Sequence, residues 1–142
     1  MKVLVIRAEE GELKEKQLAD GDLEKILKDV IVKALNLWEP RKSDLVVVKH
    51  KHEVKLPLPL KKDQYELYSQ FNLRRVGDSA VFEIPVYVIS YENEWAGDTI
   101  RDSKVFIVTP YIDESTSANI VELAKSITSP MQEEEVEEFE EE

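Results

Sequence analysis

The chain has two histidines, His50 and His52, one residue apart. Alternate residues of a β-strand share a face, so this pair would present two imidazoles to one metal ion. A third ligand is required, and Glu53 falls on the other face. No metal site is expected. His50 and His52 instead alternate with Lys49 and Lys51, a pattern that blunts an exposed strand edge against aggregation and gains charge below the histidine pKa. The carboxylate pairs Glu9/Glu10, Asp20/Asp22 and Asp113/Glu114 sit in loops or at helix starts, where capping accounts for them. Glu83-Ile84-Pro85 lacks the lysine that a magnesium-dependent nuclease needs two residues after its glutamate. The 4 glycines are unclustered and form no phosphate cradle. No serine lies in a nucleophile elbow, and the absence of cysteine removes thiolate sites, a cysteine nucleophile and disulfides. The expectation is a non-enzymatic protein without a cofactor.

The strongest constellation is electrostatic. Residues 41–75 carry nine Lys/Arg against four Asp/Glu, a net of +5 within a chain of net −11. The cations are Arg41, Lys42, Lys49, Lys51, Lys55, Lys61, Lys62, Arg74 and Arg75, interleaved with Tyr65, Tyr68 and Phe71. Lysine and arginine neutralise phosphates and release counterions, and aromatic rings stack unpaired bases without reading their sequence. Single-stranded nucleic acid is therefore the first expected partner. The plainer alternative makes Tyr65 and Phe71 core residues and the lysines a solvated face. High lysine and glutamate content without cysteine also fits a thermophile.

The acidity is concentrated at the other end. Residues 133–142 hold eight glutamates and no base. Such a run repels itself and buries little, so a disordered tail is expected over 130–142, after Pro130. Val136 and Phe139 lie three apart and would share a face if the tail became helical on a partner. The plainer role is solubility. An acidic tail with an embedded aromatic resembles the ends of single-strand-binding proteins of bacteria and phages. That resemblance implies a tail that occupies the protein's own basic groove or docks partners. The stretch from Asp20 to Lys49 resembles the opening of deazaflavin-cofactor glutamate ligases. The chain is far shorter than such an enzyme, so that activity is not expected.

These residues need a scaffold. The 142 residues suit one domain, assigned to 1–129, and 42% hydrophobic content is enough for a core. No apolar run reaches membrane-span length, and no cleavage site follows the short apolar start, so a cytoplasmic location is expected. Lys2–Ala8 reads as a central strand. Residues 9–21 read as a connection with one short helical turn. From Leu23 the apolar positions Ile26, Leu27, Val30, Ile31, Ala34, Leu35 and Trp38 follow a helical period, capped by Asp20 or Asp22 and stopped by Pro40. Asp44–His52 reads as a strand that continues through Val54–Leu60 as an edge or polyproline-like piece, because Pro57 and Pro59 cannot donate ladder bonds. Over 61–75, Tyr65, Tyr68 and Phe71 fit a helix started by Asp63, and Tyr65, Leu67, Phe71 and Leu73 fit a strand; the strand, entering a Gly77-Asp78 turn, is the reading taken, because the next run is clearly β. Ala80–Tyr91 is a long strand with Phe82, Ile84, Val86 and Val88 on one face and a bulge or edge at Pro85. Glu92–Arg101 is read as a polar loop, and Ser103–Ile112 as a strand. A second helix spans Asp113–Ile127, capped by Ser115 or Ser117, with Ile120, Val121, Ala124 and Ile127 buried. The sum is an α+β fold: a mainly antiparallel sheet of about five strands packed by two helices.

Two functions follow as expectations. The first is single-stranded nucleic-acid binding, with the tail as internal competitor. The second is a protein-interaction or regulatory adaptor that docks through Val54–Leu60 or through Val136 and Phe139, a homodimer included.

Overall fold

The computed structural model describes residues 1–38 and 44–129. Arg41, Lys42, Val136 and Phe139 lie outside them, as does the rest of 130–142.

The chain opens with a hairpin, β1 (Lys2–Glu9) and β2 (Glu12–Asp20). Glu9 pairs with Glu12, so only Glu10 and Gly11 form the turn, at φ 51° and 80°. Two successive positive φ values match the twist of the strands. Residues 9–21 thus hold a tight turn and the strand Glu12–Asp20, not the expected connection with a helical turn. Their charged residues hid it, because β2 is a sheet edge exposed along most of its length and carries no apolar alternation.

Helix α1 (Leu23–Leu37) starts at Asp22, whose side chain accepts from the Lys25 N–H at 3.3 Å. It carries the chain across the sheet from β2 to the opposite edge strand, β3 (Asp44–Pro57). Leu35, on the expected apolar stripe, is 47% exposed, whereas Val30, Ala34 and Trp38 are buried. A short helix, α2 (Lys62–Tyr68), and a 3-10 turn (Ser69–Phe71) replace the strand expected over 61–75. Only Arg74–Val76, β4, is extended there, and it enters the expected Gly77-Asp78 turn. The i, i+3 spacing of Tyr65, Tyr68 and Phe71 was the relevant signal. Tyr68 and Phe71 dock on Phe82, and that contact favours helix over hairpin.

Strand β5 (Ser79–Trp95) pairs with β6 (Asp98–Pro110) around an Ala96-Gly97 turn, so the expected polar loop over 92–101 is the tip of this hairpin. Helix α3 (Glu114–Thr128) is capped by Asp113, which accepts from the Thr116 N–H at 2.7 Å; neither Ser115 nor Ser117 is the cap.

The fold is α+β: one six-stranded antiparallel sheet, ordered β2-β1-β6-β5-β3 with β4 beside β5, and three helices among the described residues. Strand alternation divides the interior. On one face Val3, Val5, Ile89, Phe106 and Val108 pack under Val30, Ala34 and Trp38 of α1. On the other, Leu4, Ile6, Phe82, Ile84, Val86 and Ile107 pack under Ile120, Val121 and Ala124 of α3 and under Tyr68. Trp38 rests on Phe106 with ring centroids 4.9 Å apart, and its indole N–H donates to Glu9 at 3.2 Å. Burial tends to raise the Glu9 pKa. The hydrogen bonds from Arg7 and Trp38, with the charges of Arg7 and Lys104, outweigh it and hold the carboxyl below its ordinary value.

Candidate nucleic-acid interface

Strand β3 has one strand neighbour, β5, and its register sorts the basic segment by parity. Lys49 lies opposite Tyr87, Lys51 opposite Pro85, Glu53 opposite Glu83 and Lys55 opposite Val81. These share one face of the sheet. The even positions face the other way: His50 opposite Val86, His52 opposite Ile84 and Val54 opposite Phe82. The histidines and lysines therefore serve different surfaces. Among the described residues no group of three or more His, Cys, Asp or Glu could hold a metal ion.

The lysine-bearing face is the one α1 covers, but the cluster under α1 reaches only as far as Leu45 of β3 and Tyr87 of β5. Lys49, Lys51 and Lys55 are exposed beyond that cover. Arg74 joins them, because it pairs with Val81 and so points to the same side. Its guanidinium meets Glu53 at 3.1 Å. The Lys49 ammonium sits 5.9 Å from the centre of the Tyr87 ring, a cation–π contact on a half-buried aromatic. The face thus holds four cations against two carboxylates, Glu53 and Glu83, along a strip from Tyr87 through Pro85 to Val81. A shallow depression of about 430 Å³ continues it, lined by Lys49, Lys51, Gln70, Phe71 and Asn72 among others. It opens where β5 has a strand on one side only: β4 stops at Val81 and β6 begins at Tyr87. The Thr109 hydroxyl fills part of that gap by donating to the Pro85 carbonyl at 2.9 Å.

The remaining cations lie elsewhere. Lys61 and Lys62 are exposed at the start of α2. Arg75 pairs with Ala80 and so faces away from Arg74. With Arg74 it borders a groove of about 840 Å³ between α2 and the β4–β5 hairpin, whose apolar lining is Leu58, Pro59, Leu60, Leu73 and Ala80. Tyr65 forms one wall and is 61% exposed. The Arg75 Nε donates to the Gly77 carbonyl at 3.0 Å, which fixes the guanidinium, and no carboxylate among the described residues pairs with it. Asp78 is the one acidic residue in this lining.

The two tyrosines grouped by the sequence have separate roles. Tyr68 is 4% exposed and stacks on Phe82 at 4.4 Å between centroids, so its ring is committed to the core. Burial, then the charges of Asp113 and Asp63, push its phenol pKa up. Tyr65 is the free ring. Tyr87 was not singled out by sequence reasoning. The available signal was parity, since it falls out of phase with Phe82, Ile84, Val86 and Val88 and in phase with Pro85.

Fold and surface define a class: a sheet with a helix-covered core on each face, one sheet face left partly bare and basic beside an apolar groove. The chain belongs to a family described as an uncharacterized protein conserved in archaea (DUF2286), whose model matches residues 2–129. No curated protein and no solved structure matches it. No helix among the described residues is long and apolar enough to cross a membrane.

Proposed function

We propose that this protein binds single-stranded nucleic acid, without catalysis, on the bare face of β3, β5 and β4. One observation carries the reading: strand alternation sets Lys49, Lys51, Lys55 and Arg74 along one sheet face, from Tyr87 to Val81, beyond the part that α1 covers. The lysines neutralise phosphates at alternate strand positions, spaced about 6.6 Å apart. Tyr87 and, around the β4 corner, Tyr65 offer ring faces to unpaired bases. Glu53 and Glu83 keep the net charge modest, which suits a local site and not a general coater of duplex. The acidic tail is a second polyanion that lowers affinity by competing for the cations. A cytoplasmic setting, and a thermophilic one given the Lys/Glu-rich composition, fit this reading.

Titration of the full chain into a fluorescently labelled oligothymidylate at low salt, read by anisotropy, tests it. Saturable binding weakened by salt and tightened by deletion of 133–142 is expected. No binding to single or double strands at low salt ends the proposal.

A protein-docking role has its own observation: among the described residues the outer edge of β3 has no strand partner along Asp44–Pro57, and the apolar groove lies beside its end. Within the expected docking segment, however, Val54 is buried and Leu56 packs against the core. A partner would therefore meet the edge backbone and the groove. A pull-down that survives high salt separates this reading from the first.

A further inference from the structure

The nucleic-acid reading draws on Tyr65 at the wall of the groove between α2 and the β4–β5 hairpin and leaves the groove's apolar interior unused. The groove is apolar inside and cationic at one end, at Arg74 and Arg75, where the Arg75 fork is held in place with no carboxylate partner among the described residues. Lys61 and Lys62 add charge at the nearby start of α2. A complementary ligand has an apolar group flanked by carboxylates. The chain itself carries such a segment: Val136 and Phe139 set among eight glutamates. If helical, their spacing of three puts both on one face, and groove-bound helices present anchors in that way.

The place where the tail leaves the fold decides which molecule it serves. Ser129 lies against Gly11, at the β1–β2 turn, and the Glu10 N–H there bonds the Ser103 carbonyl of β6. Ser103 is level with Tyr91 of β5, because Ser90 pairs with Val105 and Glu92 with Arg101. The groove is at Ala80, at the other end of β5. Eleven strand residues separate the two levels, up to about 36 Å along β5, with the sideways step from β1 still to add. The ten residues 130–139 span at most about 36 Å when fully extended. A tail reaching its own groove would have no slack and no helical turn. A neighbouring molecule carries no such restriction.

We infer that the groove between α2 and the β4–β5 hairpin receives the C-terminal segment around Phe139 from a second copy of this chain. Phe139 enters among Leu58, Leu60 and Leu73, and the flanking glutamates meet Arg75. The contact is heterologous, tail to groove, and its charge component makes it salt-sensitive. This inference uses the groove alone and stands whether or not the bare face binds nucleic acid.

Sedimentation equilibrium of the full chain over a hundredfold concentration range tests it, at low and at high salt without nucleic acid. The weight-average mass should rise with concentration at low salt and fall back in high salt. Phe139→Ser and Arg75→Gln, the latter at an exposed position, should each weaken association at least tenfold. Lys55→Gln, on the bare face, should leave it unchanged. A chain that stays monomeric throughout overturns the inference and leaves the groove to a foreign anionic ligand. Association that persists in both groove and tail variants overturns it in favour of another surface, the β3 edge first.

Discussion

Neutralising Lys49 and Lys51 together tests the bare face most directly. Four cations project from it, and single-strand binding releases counterions with a slope of about −0.7 per phosphate contact, so log affinity should fall against log salt with a slope near −3. Raising salt from about 50 to 200 mM should then cost about fiftyfold in affinity. The double variant Lys49→Gln/Lys51→Gln removes two contacts and should reduce the slope by about 1.4. Both side chains are exposed, so the fold should tolerate the change. Lys49 also loses its place over Tyr87, which removes a fixed charge from beside the stacking ring. Arg74 is already held by Glu53 in an exposed pair. Glu53→Gln should release it and tighten binding about two- to fivefold, the range of an exposed ion pair. The assay is anisotropy of a labelled oligothymidylate at four or more salt concentrations, beside a His50→Gln/His52→Gln control on the opposite parity. A slope unaffected by the lysine change, or a histidine control that lowers it equally, refutes the assignment of phosphate contacts to this face.

Other outcomes test the scaffold. Phe82→Ala removes a fully buried ring that both Tyr68 and Phe71 stack on; it should cost about 3–5 kcal/mol in chemical denaturation, whereas Tyr65→Ala should stay within about 0.5. Asp113→Ala deletes the α3 cap and should cost about 1 kcal/mol by the same measurement. Because the folded-state pKa of Glu9 is depressed, its contribution is complete above the unfolded carboxyl pKa and is lost as pH falls through the lower folded value. A Glu9→Gln variant should accordingly show a shallower acid limb in stability against pH than the parent.

The long apolar elements were legible in the sequence. The α1 period, the single-face alternation of Phe82–Val88 and the edge character of the proline-bearing β3 all follow from side-chain placement. The elements that were missed bury little. β2 is charged because neither of its faces is core over most of its length, and the β5–β6 tip projects past both helices, so its polarity reads as loop. Their turns, Glu10-Gly11 and Ala96-Gly97, were the usable clue. The site was half legible. Alternation of Lys49, Lys51 and Lys55 with two histidines predicts separate faces once a strand is assumed. The fates of Tyr65 and Tyr68 depended on a helix whose formation rests on docking to Phe82, eleven or more residues away in sequence.

The place of β1 in the sheet has a consequence for how the molecule comes into being. Its neighbours are β2, next in sequence, and β6, whose paired residues run from Lys104 to Pro110. One of its faces is capped early, by α1, and the other late, by α3, which ends at Thr128. A growing chain emerging from the ribosome therefore carries Val3–Ile6 with an unfilled edge until nearly the whole protein has been made. Such long-range closure slows folding and lengthens the life of an apolar, strand-ready segment in the nascent chain. The acidic run is synthesised at the moment that segment is finally enclosed, where its charge opposes association between partly closed copies.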